Sequence, residues 1–247
     1  MNSNIQAASN TSNNEHSRRV REMFARIAST YDFLNHLLSA NIDRIWRRRT
    51  RKLMADILAR PDAVILDVAC GTGDLTLELA KNSAAKVLGL DFCRPMLKIA
   101  QGKTTFNKKE VQLIEADAMK MPVADASFDA VTIAFGLRNL ADHLAGLKEL
   151  ARILKPGGRL LVLECSKPSS ALFRSLYYFY FEKLLPLIGG MVSGSGSAYR
   201  YLPDSVRKFP DQKTLAGMMK QVGLINVRYE NLTGGIAAIH IAEKPTM

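Results

Sequence analysis

The chain has 247 residues, a hydrophobic fraction of 47% and a formal charge of +11 at neutral pH. That length suits one large α/β domain or two small ones, and the apolar share is ample for a buried core. No uninterrupted apolar run reaches the ~18 residues of a membrane span, while the charge keeps acidic partners in view: nucleic acid, anionic lipid or an anionic ligand.

Residues 1–17, MNSNIQAASNTSNNEHS, are polar and lack the apolar core of a secretory signal; they read as a disordered tail. Residues 18–247 read as a single domain. Its first part, 18–60, carries apolar residues at helical spacing in VREMFARIASTYDFLNHLL and again in IDRIWRRRTRKLMADIL, until Pro61 stops the pattern. The arginines of the second segment are expected on its outer face. Cys70, Cys93 and Cys165 are odd in number and share no metal-type spacing, which suits a reduced cytoplasmic protein with no metal site.

From residue 64 the pattern changes. VILDVAC, KVLGLD, VQLIEADA, FDAVTIAF and RLLVLEC are short Val/Ile/Leu-rich runs separated by helical stretches such as DLTLELAKN and HLAGLKELARIL. Alternating strands and helices predict a parallel sheet covered on both faces, and PGG at 156–158 predicts a turn before the fifth strand. Residues 167–202 interrupt the alternation with an aromatic-rich helical insertion, LFRSLYYFYFEKLLPLIGGMV, followed by SGSGSA. INVRYENL and AAIHIAEK then read as an antiparallel pair of closing strands.

Two stretches carry chemistry. In LDVACGTGDLT a strand ends at Gly71-Thr72-Gly73 and a helix begins, and Asp91 closes the next strand as an acceptor for ribose hydroxyls. A dinucleotide would place its pyrophosphate on the helix start. Here Asp74 occupies that start, Asp67 precedes the glycines, and Thr76 stands where the third glycine of the fingerprint would be. These acids disfavour a pyrophosphate and favour S-adenosyl-L-methionine, which carries an ammonium and a sulfonium; the alternative makes Asp74 an N-cap and Asp67 a satisfied strand acid. Asp117 and Ala118 close the third strand, where an acid can meet the amine of adenine. In AVTIAFGLRN, a buried fourth strand runs through Ala134 into Gly136, Arg138 and Asn139. Ligands of such sheets bind at the carboxyl ends of the strands.

FARIASTYDFLNHLLSANIDRIWRR, LDVACGTGDLT, FDAVTIAFGLRNL, RILKPGGRLLVLECSKP, AYRYLPDSVRKFPDQ and NLTGGIAAIH, in this order, resemble the quinone-biosynthesis C-methyltransferases, a branch of the class I S-adenosylmethionine-dependent methyltransferases. The resemblance runs from about residue 20 to 245. It implies a Rossmann-like, seven-stranded, mostly parallel sheet with helices on both faces and a helical lid. It implies S-adenosyl-L-methionine as cofactor, contacted by Thr72, Asp91, Asp117 and Ala118. Ala134 stands where the family often has Ser, so only a backbone contact carries over there. The implied reaction is methylation of a ring carbon of a polyprenylated hydroquinone, either demethylmenaquinol or its benzoquinol analogue.

Such a reaction needs a stabiliser for a phenolate, a base and in-line placement. Arg138 is the expected stabiliser and Asn139 the residue that orients the ring oxygen. Asp32, Tyr31 and Tyr199 are candidates for the base; His240 reads as a core histidine, and His36 and His143 as helix-surface residues. The insertion is expected to receive the isoprenoid tail or to form a homodimer face. The basic run Arg47, Arg48, Arg49, Arg51, Lys52 is expected either to meet anionic lipid, giving a peripheral membrane contact, or to be a solvated face. Three rivals stay open: an RNA methyltransferase, disfavoured because no nucleic-acid-binding module is visible; a non-catalytic cofactor-binding subunit; and an NAD-dependent oxidoreductase.

Overall fold

The structure, a computed structural model, describes residues 2–107, 110–168 and 196–246, with side chains from Glu15 onward except at 34, 37, 38 and 196–200. Helices α1 (Asn2–Leu38), α2 (Ile42–Lys52) and α3 (Ala55–Leu58) precede the sheet. Strands β1 (Val64–Val68), β2 (Lys86–Asp91), β3 (Gln112–Glu115), β4 (Phe128–Ala134) and β5 (Leu154–Cys165) alternate with α4 (Asp74–Ala80), α5 (Arg94–Phe106) and α6 (His143–Ile153). Helices α7 (Gly196–Lys208) and α8 (Gln212–Gln221) lead to β6 (Ile225–Leu232) and β7 (Ala237–Glu243).

The seven strands lie in the order β3-β2-β1-β4-β5-β7-β6. β1 to β5 pair in parallel, whereas β7 runs antiparallel to both β5 and β6. This is the expected Rossmann-like arrangement, and the strand order reverses between β1 and β4. Alternation along each strand feeds two cores. Leu66, Val68, Val131, Ile133, Leu160 and Val162 pack towards α6 and α8, while Ile65, Ala130, Leu161, Leu163 and Ile239 pack towards α2, α3 and α4. Fully burying each such aliphatic side chain contributes roughly 1.5–3 kcal/mol, so the sheet centre is the rigid frame from which the strand ends project.

Three expectations change. Residues 2–17, expected to be a disordered tail, continue the backbone of α1. Once Val20, Met23 and Ile27 are buried, adding further turns needs no new nucleus. The PGG turn is absorbed into β5: that strand advances from Leu154 to Arg159 while β4 advances only from Phe128 to Ala130, a bulge with Gly157 at φ +74°. Of the insertion expected over 167–202, residues 169–195 lie outside the described residues, and α7 takes up its end.

Candidate active site

The ends of β1 to β4 surround an open cavity, and α1 forms its far wall with Ser17, Phe24 and Tyr31. Its floor begins at the glycine loop. Ala69, Gly71 and Gly73 all take positive φ, at +51°, +55° and +82°. A non-glycine residue there pays roughly 1–2 kcal/mol, so Ala69 is held in place by its surroundings. A Cβ at Gly136 would lie 2.6 Å from the Cβ of Ala69. The glycine of AFGLRN is therefore required where the ends of β1 and β4 approach each other.

Four acids line the cavity beside this loop. Asp91 accepts hydrogen bonds from the N–H of Gly71 (2.8 Å) and of Cys93 (2.8 Å). Each oxygen thus takes one backbone donor and keeps a lone pair for a ligand hydroxyl. Burial pushes its carboxyl up, opposed by those N–H bonds. Asp67 accepts from Thr76 (2.6 Å) and Thr132 (2.8 Å), and burial raises its pKa to about 6. Asp117 is oriented by the Met119 N–H at 2.8 Å. Asp74 does not cap its helix; Gly73 takes the cap position without a side-chain bond, and Asp74 pairs with Lys103 at 2.6 Å. Asp67, Asp74, Asp91 and Asp117 all line the cavity with Gly71, Thr72, Ala118 and Ala134, against one guanidinium among the described residues, that of Arg47. Gly73 is not part of the lining. This set of acceptors fits a cationic, polyhydroxylated ligand and disfavours a pyrophosphate.

The acceptor half departs from expectation. Arg138 does not line the cavity. Its Nη1 donates to both carboxylate oxygens of Glu164 at 3.0 Å and to the Phe135 carbonyl at 2.6 Å. The side chains are 7% and 2% exposed. Burial works against the charge on Arg138, but Glu164 outweighs it and keeps the guanidinium cationic. Glu164 sits one strand away on β5, buried, and a buried carboxylate demands a paired, hydrogen-bonded cation. That demand turns Arg138 away from the cavity. Its reach is electrostatic: Tyr31, whose hydroxyl is pushed up chiefly by burial, feels Arg138 as the main opposing influence.

Asn139 does line the cavity, and its amide is locked. Nδ2 donates to the Phe135 carbonyl at 3.2 Å, and Tyr201 donates its hydroxyl to Oδ1 at 3.1 Å. His16 Nε2 lies 3.1 Å from the Asn139 carbonyl, so the chain before residue 18 belongs to the site.

The candidate bases sort clearly. Asp32 accepts from the Thr72 hydroxyl and pairs with Lys103 at 2.6 Å. It fastens α1 to the glycine loop and is not among the cavity-lining residues, whereas Tyr31 beside it is. Tyr199 falls in α7 with its side chain outside the described residues; the tyrosine that meets Asn139 is Tyr201. His240 is the expected core residue, bonded at 2.9 Å to the Gln212 carbonyl and tilted over Tyr229. His36 is half-buried rather than fully exposed, with Nδ1 2.8 Å from an Asp43 carboxylate oxygen. His143 likewise packs edge-on against Phe209.

The basic run is largely consumed. Arg47 is buried, pairs with Asp43 and stacks over Phe135. Arg49 holds Glu230 at 2.7 Å, and Arg51 donates to the Lys81 carbonyl at 2.6 Å. Arg47 was legible in retrospect, because Asp43, Trp46, Arg47 and Thr50 share one helical stripe, and all four are buried. His36, Asp43 and Asp74 bring ligand atoms within 4.8 Å of one another, but Arg47 already pairs with Asp43 and Lys103 with Asp74.

Comparison with known proteins follows the same lines. The model of the ubiE/COQ5 methyltransferase family matches residues 11–244. A demethylmenaquinone methyltransferase of Thermus thermophilus is 50% identical over 90% of this chain and 100% of its own length. A ubiquinone/menaquinone biosynthesis C-methyltransferase, UbiE, of Geotalea uraniireducens is 46% identical over 93% and 98%. Among solved structures, a SAM-dependent methyltransferase of Thermotoga maritima aligns over 91% of this chain and 99% of its own with a TM-score of 0.65 at 20% identity, a likeness of fold.

Proposed function

The chain belongs to the ubiE/COQ5 methyltransferase family, and from that premise we propose that it methylates a ring carbon of a polyprenylated hydroquinone, demethylmenaquinol first and the benzoquinol analogue as alternative. It is an S-adenosylmethionine-dependent methyltransferase. The cofactor supplies an activated methyl group on a sulfonium. In this reading Asp91 accepts ribose hydroxyls and Asp117 meets the adenine amine; the support is that both line the cavity with Asp67 and Asp74, which give it its negative character.

The observation that carries the reading is the locked amide of Asn139 at the end of β4, in the same cavity as Asp91 and Asp117. Its fixed Nδ2 and Oδ1 suit a ring hydroxyl, and Tyr31, Phe24 and Phe135 form aromatic walls for a flat ring. A hydroquinone carbon becomes nucleophilic when its neighbouring hydroxyl is strongly hydrogen-bonded or loses its proton, so holding that oxygen is the service this chain must provide. Turnover of both quinols with labelled S-adenosylmethionine tests the reading. Methylated naphthoquinol as the main product supports it; transfer to neither quinol contradicts it.

A lipid-bound substrate calls for contact with a bilayer. No helix among the described residues is long and apolar enough to cross one. With Arg47, Arg49 and Arg51 engaged, the support for a peripheral contact is narrower: exposed Arg44, Arg48 and Lys52 flank Ile45, which is 61% exposed, and Phe33 on α1 is 60% exposed. Flotation with anionic vesicles at low salt tests this contact, and protein remaining at the bottom of the gradient contradicts it.

A further inference from the structure

Lys103 does not line the cavity, yet it joins the parts that shape the cofactor site. Its Nζ lies 2.6 Å from Asp32 Oδ2 on α1 and 2.6 Å from Asp74 Oδ1 on α4. Asp32 uses its other oxygen to accept from the Thr72 hydroxyl in the glycine loop. Asp74 uses its other oxygen towards Arg47 at 3.6 Å. One ammonium thus ties three elements together, because Lys103 itself sits on α5.

The backbone explains why lysine reaches this point. Gly73 approaches Ala100 so closely that an added Cβ would lie 3.1 Å from the Ala100 Cβ. Lys103, one turn further along α5, then passes beside Asp74. The same helix packs against α1 through Met96 and Ala28, with Phe24 and Tyr31 against that cluster. Since Phe24, Tyr31 and Ser17 are the α1 wall of the cavity, whatever holds α1 down also sets the shape of the cofactor pocket.

We propose that Lys103 is a positioning residue for S-adenosylmethionine: through Asp32 and Asp74 it clamps α1 over the glycine loop and slows exchange of cofactor and product. The proposal rests on the cofactor assignment and adds a control on residence time. A clamp of two partly exposed ion pairs pre-organises the pocket; its loss weakens retention without removing any group that touches the ligand.

The test compares wild type, Lys103→Met, Lys103→Arg and Asp32→Asn, using S-adenosylhomocysteine as probe. In Lys103→Met its dissociation rate and the KM for S-adenosylmethionine rise about fivefold to tenfold, exceeding any fall in kcat. Lys103→Arg recovers most of the difference. Asp32→Asn, which keeps a hydrogen-bond acceptor for Thr72 but removes the charge, moves the same two quantities in the same direction and covers the case of a poorly folding Lys103→Met. A lowered melting temperature with unchanged dissociation rate and KM would make Lys103 merely structural and overturn the proposal. Wild-type protein that fails to bind S-adenosylhomocysteine at all would overturn the cofactor assignment instead.

Discussion

The two halves of the cavity are built differently. In the cofactor half, Asp67, Asp91, Asp117 and the glycine loop project from the ends of β1, β2 and β3, and backbone N–H groups or buried hydroxyls fix the carboxylates. In the acceptor half, Asn139 lines the cavity from a 3-10 turn and Tyr31 from α1, while Tyr201 on α7 bonds to Asn139 and Arg138 on the same turn lies outside the cavity; here long side chains choose among partners. A short acid on a strand end goes where the strand points. A long cation goes where the strongest buried partner waits, and for Arg138 that partner is Glu164 rather than the ligand.

The sharpest way to break this contrast is Arg138→Met. If the guanidinium serves Glu164, its removal strands a buried carboxylate and lowers stability by about 3–5 kcal/mol, read by urea unfolding. Stability within about 1 kcal/mol of wild type, with turnover abolished, would return Arg138 to direct contact with substrate. Next in size, Asp91→Ala removes the proposed ribose acceptor and the partner of two backbone N–H groups, so affinity for S-adenosylmethionine is expected to drop about 100-fold by calorimetry. Equal affinity would remove Asp91 from the cofactor site.

Asp67 gives a pH test of the cofactor half. Its folded pKa, about 6, lies above the unfolded value of 3.8. Its contribution is therefore fully present below the unfolded value and is lost as pH rises through the folded one. Between pH 4 and 6 the wild type should lose about 2 kcal/mol relative to Asp67→Asn, seen as diverging melting curves, with a plateau above. Parallel curves across that window would mean that Asp67 titrates normally. The smallest effect is expected from Tyr201→Phe. It unlocks one side of the Asn139 amide and lowers kcat by about threefold to tenfold while leaving cofactor affinity alone. Weakened cofactor binding in that variant would blur the division between the halves.

This division also explains what the sequence disclosed. Asp91 and Asp117 were legible because a strand end and a glycine turn fix a short side chain within a narrow cone. Asn139 was legible as facing the crevice for the same reason. Arg138 was misplaced because its partner, Glu164, is hidden in the apolar run RLLVLEC, and a lone buried acid there was the available signal. Tyr31 and Asp32 are neighbours on one helix whose side chains diverge, so their division between cavity and latch required the packing of α1 on α5. The distinction between Tyr199 and Tyr201 depends on the phase of α7, which begins at Gly196 inside a Gly/Ser stretch that suggested a loop. The basic run misled in a similar way, since charge counts do not register that Asp43, Glu230 and the Lys81 carbonyl lie within reach.

The central claim is that one cavity holds cofactor on the strand-end acids and acceptor on the Asn139 amide. Single-turnover methyl transfer from labelled S-adenosylmethionine to demethylmenaquinol, in wild type and Asn139→Ala, tests it most directly. The account predicts ring-methylated product in wild type, and in Asn139→Ala a transfer step slowed about tenfold or more with cofactor affinity unchanged. Equal transfer rates in the two proteins, or loss of cofactor binding in the variant, would contradict it.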